Sequence, residues 1–238
     1  MYCIQNLTFG YQKPLMKDLS FDIQPGEVVC LMGANGGGKS TLLNMLAGFQ
    51  EPERGDILFQ DRPLVEWLSQ NKTKKEYHQK VGVLFQQVDT QLFNTSVYDE
   101  VAFGPRQLAL DEKEVSQRTD DCLHLLDIQH LADRVPYHLS GGEKRKVAMA
   151  SVLALNPEVL LLDEPFEGLT QEAQQQFIQL FQQLHQAGKT LILASHNYRQ
   201  ARQLATAYLI FQGEGQIQYR SRLEVENDEA MIRYLEKM

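Results

Sequence analysis

Four short runs along the chain are apolar almost without interruption: EVVCLM at 27–32, VGVLF at 81–85, VLLLD at 159–163 and TLILAS at 190–195. A half-buried strand would alternate apolar and polar residues. These do not, and they predict strands of a sheet covered by helices on both faces. YCIQNLTF at 2–9, LSFDI at 19–23 and GDILFQ at 55–60 alternate more and suit an antiparallel lobe. From 92 to 157 the period is mostly helical. QEAQQQFIQLFQQLHQAGK places Phe177, Leu180, Phe181 and Leu184 on one helical stripe, with glutamines as the wet face and a stop near Gly188. The pattern predicts one α/β domain, with a core and antiparallel β lobe in 1–90 and 158–238 and an inserted helical subdomain in 91–157. One stretch resists this reading. After the strand ending at Phe85, QQVDTQ is polar and LFNTSVYDEVAFGP is apolar again, and the whole fits neither helix nor strand.

Composition narrows the function classes. The chain has 238 residues, 43% of them apolar, and a net charge of -8. Lys72, Lys74 and Lys75 are flanked by Glu66 and Glu76, so no basic stripe of the kind a phosphate backbone requires is visible, and no nucleic-acid partner is expected. Cys3, Cys30 and Cys122 lack metal-ligand spacing and read as reduced core thiols. The N-terminus has no signal-peptide pattern, and runs such as YLIF are too short to span a bilayer. A cytoplasmic protein is expected, reaching a membrane only through a partner.

The chemistry begins at GANGGGKST, residues 33–41, which follows a strand and opens a helix through Leu42, Leu43 and Leu46. This is G-x-x-x-x-G-K-[ST] in its required context. Gly33, Asn35, Gly36 and Gly38 give a loop whose backbone N–H groups converge on phosphate oxygens, with Ser40 and Thr41 in the first turn. Lys39 is placed to reach the β- and γ-phosphates of a nucleotide, and Ser40 to bind magnesium. Asp163 ends a buried strand, where an ionised carboxylate needs a cation or donors, and a magnesium site supplies that need. Glu164, next along, is the candidate base for the attacking water.

LSGGEKRKVAMASVLALNPEVLLLDEP then decides among phosphate-loop proteins. Ser140, Gly141 and Gly142 precede a helix starting near Glu143, a second end with N–H groups for an anion. With this signature just upstream of the magnesium-binding strand, the chain resembles the ABC transporter ATPase family over nearly its whole length. The resemblance implies a P-loop NTPase fold, ATP and Mg2+ as ligands, and two such subunits, identical or different, packed head to tail. Each signature then caps the nucleotide held by the other phosphate loop. It also implies that Tyr11 stacks on adenine, that Gln86 contacts magnesium and the water and senses a membrane partner, and that His196 is the switch histidine near the γ-phosphate. The catalytic set is thus Glu164, His196, Gln86 and Lys39, and the metal set Ser40, Gln86 and Asp163. Gly37 stands where serine is common, with little consequence for a loop that binds through its backbone. Thr170 replaces the aspartate usual at the end of EPFEGLT, which bears on communication between the two nucleotide sites.

The stretch that fitted neither helix nor strand resembles the form found in energy-coupling factor transporters and cobalt and nickel importers, with F-Q-x-x-x-x-Q-L-F and a closing V-A-F-G-P. In that family, the segment near 87–105 receives a transmembrane coupling subunit. Leu92, Phe93, Val97, Val101 and Phe103 are the candidate docking residues, with the subdomain's own core as the alternative place for some of them, and substrate is held by a separate membrane subunit. The resemblance therefore implies the ATPase of a vitamin or transition-metal importer at the cytoplasmic face of the cell membrane. A conventional ABC importer or exporter is the rival reading. A soluble ABC protein of DNA repair or translation would need a long coiled coil or two ATPase domains per chain, and neither is present in this sequence.

Overall fold

The apolar runs become the middle of a sheet, and the alternating ones its antiparallel cover. The computed structural model describes residues 1–11, 14–213 and 215–237. In chain order these form β1 (Tyr2–Gly10), β2 (Pro14–Ile23), β3 (Val28–Gly33), α1 (Lys39–Leu46), β4 (Arg54–Phe59), β5 (Arg62–Pro63), α2 (Leu64–Leu68) and α3 (Asn71–Lys80). Then come β6 (Val81–Leu84), α4 (Val97–Gln107), α5 (Glu112–Leu125), α6 (Gly141–Leu153), β7 (Val159–Asp163), α7 (Gln171–Gln186) and β8 (Thr190–Ser195). The chain closes with α8 (Tyr198–Ala201), β9 (Ala207–Gly213), β10 (Gln216–Ser221), α9 (Arg222–Glu226) and α10 (Glu229–Leu235).

The larger sheet has the order β10-β9-β3-β8-β7-β6. Its four pairings from β9 to β6 are parallel, and β10 alone runs antiparallel at the edge. The pleat divides the core in two. Val28, Cys30 and Met32 of β3 face one side with Leu160, Leu162, Leu191 and Leu193, against the apolar stripes of α4 to α7. Val29 and Leu31 face the other with Leu161 and Ile192, against α1 and the sheet β2-β1-β4-β5. At about 1.5–3 kcal/mol per fully buried Leu, Val or Ile, two buried faces explain why these strands carry no polar alternation. β2 shows the opposite case, its inward Met16, Leu19, Phe21 and Ile23 separated by exposed residues.

Several boundaries move by a residue or two, for local reasons. β6 stops at Leu84 because Phe85 leaves the ladder: its N–H goes to Gln91 Oε1 (3.3 Å) and its ring stacks on Phe49. β4 ends at Phe59 because Gln60 and Asp61 take φ of 50° and 60° in a turn. Cys30 and Cys122 are buried thiols as expected, but Cys3 is only half-buried. It lies between the inward Tyr2 and Ile4 and so points outward, opposite Asp22.

The anomalous stretch resolves into a short 3₁₀ turn at Val88–Thr90 and the helix α4. Ser96 caps it, its Oγ accepting from Asp99 N at 3.0 Å. The closing Gly-Pro lies inside the last turns. Gly104 is needed there because a Cβ would stand 2.8 Å from Leu155 Cδ2, so it lets α4 close on the end of α6. Val97 and Val101, expected at a docking surface, are fully buried in the core cluster, being the i and i+4 positions that α4 turns inward. For these two the docking role is corrected to the core alternative: they hold α4 down and are unavailable to a partner.

Candidate functional site

β3, β8, β7 and β6 lie in that order and end on one edge, the edge at which open parallel sheets offer their loops to ligands. β3 runs into the loop 33–38. Gly33 is pressed against β9, where a Cβ would stand 2.7 Å from Phe211 Cβ and 2.8 Å from its carbonyl oxygen. Asn35 and Gly36 are exposed at the tip, and Gly37 N–H closes the turn onto Ala34 O at 3.1 Å. α1 then starts with Gly38 as its N-cap, left-handed at φ 106° and without a side-chain cap. Its first N–H groups therefore have no side-chain acceptor. Lys39 is 6% exposed, and its ammonium donates to Gly33 O (2.6 Å) and Ala34 O (3.1 Å), bracing the loop. Burial lowers the Lys39 pKa, while the carboxylates of Glu164 and Asp163 work against that shift. Ser40 and Thr41 are half-buried behind it.

Across from this loop, β7 delivers Asp163 and then Glu164. Burial raises the Asp163 pKa, with Ser40 and the Lys39 charge pulling it down. Asp163 Oδ1 is buried without a hydrogen-bond partner among the described residues. A buried carboxylate oxygen with no donor is costly. It fits a cation held beside Ser40 and phosphate oxygens, where Mg2+ keeps few protein ligands. No cluster of three His, Cys, Asp or Glu side chains forms a metal cage among the described residues.

Glu164 is 8% exposed and has φ 45°, a left-handed backbone that costs a non-glycine residue about 1–2 kcal/mol. Three contacts hold it there. Its N–H donates to Ala194 O (3.2 Å), its carbonyl accepts from Glu167 N (3.1 Å), and Arg145 Nη1 donates to the same carbonyl at 2.7 Å. The side chain meets His196, with Nδ1 3.1 Å from Glu164 Oε2, because β7 and β8 are neighbours and His196 follows the end of β8. Gln86, exposed just beyond β6, has its carbonyl held by Arg145 Nη2 (2.8 Å), and its side-chain Nε2 donates to Glu167 Oε2 (3.0 Å).

The structure thus gathers Lys39, Ser40, Asp163, Glu164, His196 and Gln86 at one sheet edge. It leaves two expected elements apart. Tyr11 is 74% exposed, edge-on to Phe9 at 5.1 Å, with its hydroxyl accepting from Gln50 Nε2 at 3.2 Å. Ser140, Gly141 and Gly142 open α6, where Ser140 forms a capping box with Glu143 and bonds nothing in the phosphate loop. Thr170 has a duty inside its own chain: its Oγ1 accepts from Ala173 N at 3.3 Å and caps α7.

Three charged residues escaped the sequence reading. Arg145 is 5% exposed and joins Gln86 to Glu164. Its signal was present, because Arg145, Ala148, Met149 and Val152 form an i, i+3, i+4, i+7 stripe on α6 in which one member is charged. Glu100 is 3% exposed on the inward face of α4, and its Oε2 accepts from Phe93 N, Asn94 N and Asn94 Nδ2 at 2.8–3.1 Å. Glu167, which takes the Gln86 amide, had no pattern to betray it. The Glu100 clamp leaves Phe93 65% exposed and edge-on to Phe103 at 5.0 Å, above a groove of about 290 Å³ lined also by Phe49, His78 and Leu155.

Comparisons with known proteins give the family of the chain. The family model described as ABC transporter matches residues 16–167. The chain is 52% identical, over 91% of each chain, to the nickel import ATP-binding protein LarO of Lactiplantibacillus plantarum. The solved structure of cbiO1 from Clostridium perfringens, part of the ABC transporter complex cbiONQ, superposes with a TM-score of 0.83 at 32% identity, covering 98% of this chain and 93% of that one. A dimeric ATP-binding cassette in a post-hydrolysis state with ADP and Pi superposes with a TM-score of 0.84 at 26% identity, covering 93% and 99%. With the phosphate loop, the paired carboxylates and the signature in place on this fold, the chain belongs to the ABC transporter family, as an ATP-binding subunit that hydrolyses ATP.

Proposed function

We propose that this chain energises a transition-metal importer of the energy-coupling factor type, working as a dimer of ATPase subunits against a transmembrane coupling subunit at the cytoplasmic face of the membrane. The observation that carries the catalytic half is Glu164: a carboxylate 8% exposed, 3.1 Å from His196, beside a partnerless Asp163 oxygen. Nickel or a related ion is supported by the nickel import relative, and work within an ABC transporter complex by cbiO1. The substrate itself would lie in another subunit.

In this reading the loop 33–38 and the uncapped start of α1 bind the phosphates through N–H groups, and Lys39 exchanges its loop carbonyls for β- and γ-phosphate oxygens. Ser40, Asp163 and Gln86 would hold Mg2+, which supplies neutralisation of phosphate charge when bound. Glu164 takes a proton from the attacking water, and His196 orients that carboxylate and faces the γ-phosphate. Arg145 keeps the strained Glu164 backbone and Gln86 in register. Tyr11 offers its exposed ring to adenine, and Ser140 with the N-terminus of α6 caps the nucleotide of the opposing subunit. Phe93, Phe103 and Phe49 line the groove for the coupling subunit. No helix among the described residues is long and apolar enough to cross a membrane, so that subunit would supply the membrane contact.

The test is Glu164→Gln. It should bind ATP and accumulate a nucleotide-bound dimer, with turnover down by about a hundredfold, the scale of a lost general base. Turnover close to that of the unaltered protein would remove Glu164 from the mechanism.

A further inference from the structure

We infer that Glu167 is the positioning residue that sets which end of the Gln86 side-chain amide faces the bound cation, an inference resting on the nucleotide-site reading above. A primary amide has a donor end and an acceptor end, whereas an ionised carboxylate can only accept. The Gln86 Nε2–Glu167 Oε2 bond of 3.0 Å therefore fixes the NH2 toward Glu167 and leaves Oε1 as the outward atom. The flipped amide would set its lone pairs against a negative charge. A cation takes oxygen and repels the NH2 group, so this choice of end decides whether Gln86 is a ligand at all.

The backbone around the pair is built to hold it. Arg145, buried on α6, donates to the Gln86 carbonyl at 2.8 Å and the Glu164 carbonyl at 2.7 Å, so the residues flanking the bond are tied through one guanidinium. Glu167 N–H returns to Glu164 O at 3.1 Å, closing a turn that carries the Glu167 side chain back toward Gln86. The amide is thus fixed from the same turn that positions Glu164, and a displacement of Gln86 by a partner in the neighbouring groove would be felt at Glu167. Glu167 and Gln86 are both exposed, so the bond adds little to folding and its effect is orientation.

The experiment measures Mg2+-dependent binding of AMP-PNP, which is not cleaved, by calorimetry on the full chain, for unaltered protein, Glu167→Ala, Glu167→Gln and Gln86→Ala, each alone and with Glu167→Ala added to Gln86→Ala. Glu167→Ala should raise the Mg2+ concentration for half-saturation by about threefold to tenfold, the scale of one hydrogen bond, with metal-free AMP-PNP binding unchanged. Glu167→Gln keeps an acceptor but drops the charge and should recover most of the loss. In the Gln86→Ala background, Glu167→Ala should add nothing. Equal shifts for the Ala and Gln variants would make the effect one of charge and overturn the inference, as would a full Glu167→Ala effect without Gln86. If AMP-PNP binding to the unaltered protein ignores Mg2+, the nucleotide-site reading itself falls, and this inference with it.

Discussion

Helices α1 and α6 both open at glycines, Gly38 as the N-cap of α1 and Gly141 as the first residue of α6. They dispose of their free N–H groups in opposite ways. α1 has no side-chain cap, and the one long side chain in its first turn, Lys39, turns back to the loop carbonyls. α6 is self-capped: Ser140 Oγ accepts from Glu143 N at 3.4 Å, while Glu143 Oε2 accepts from Ser140 N (2.8 Å) and Oγ (2.6 Å). An uncapped end holds donors in reserve for an anion. A capping box has already committed a hydroxyl and placed a carboxylate where a phosphate would approach. The first end suits tight binding within one subunit. In the proposed dimer the second would suit a weaker contact, made when another subunit presents a nucleotide and Ser140 exchanges partners.

The largest expected effect tests the uncapped end. Lys39→Ala should lower AMP-PNP affinity of the single subunit by about 10-fold to 100-fold, the scale of charged hydrogen bonds to phosphate. Calorimetric affinity within twofold of the unaltered protein would show that α1 and its loop suffice without the ammonium.

A smaller effect separates the two ends. Ser140→Ala should leave single-subunit affinity within about twofold, cost about 1 kcal/mol of local helix stability through the lost cap, and reduce turnover of the assembled dimer by about tenfold. If single-subunit affinity fell together with turnover, α6 would serve its own chain's nucleotide and the head-to-tail arrangement would be wrong.

How much of this was legible in the sequence depends on whether a residue's role is local. Strands buried on both faces announce themselves by composition, and VLLLD begins and ends where β7 does. The phosphate loop is contiguous, so spacing alone brings Gly33, Lys39 and Ser40 together. Asp163, Glu164, His196 and Gln86 depend on the order β8-β7-β6, and their meeting follows from strand neighbours that no local pattern encodes. Arg145 was hidden by its neighbours Lys144 and Lys146, which make the buried charge look like part of a solvated run. Which of the five apolar residues belong to the core is not legible, because a run containing Gly-Pro does not read as a helix, and only a helix turns Val97 and Val101 inward as i and i+4 while leaving Phe93 and Phe103 outside.

The smallest effect concerns the pH dependence of the α6 cap. The Ser140 hydroxyl and backbone N–H hold the Glu143 carboxyl below the usual range, which for a free glutamate is about 4.3. A depressed carboxylate pKa means that the folded state favours the ionised form. Its contribution is present in full above the unfolded value and fades as pH falls through the folded one. The cap should therefore be intact from neutrality down to about pH 5 and weaken progressively below about pH 4. Because Glu143 is largely solvated the change is small and local, so amide chemical shifts of Glu143 and Lys144 are better probes than a melting curve. Their titration midpoint should lie below 4.3 in the unaltered protein and vanish in Glu143→Gln. α1, which carries no acid in its first turn, should show no comparable titration in its own amides. A midpoint at or above the free-glutamate value would mean that the box is open in solution, leaving α6 as uncapped as α1 and removing the contrast between the two ends.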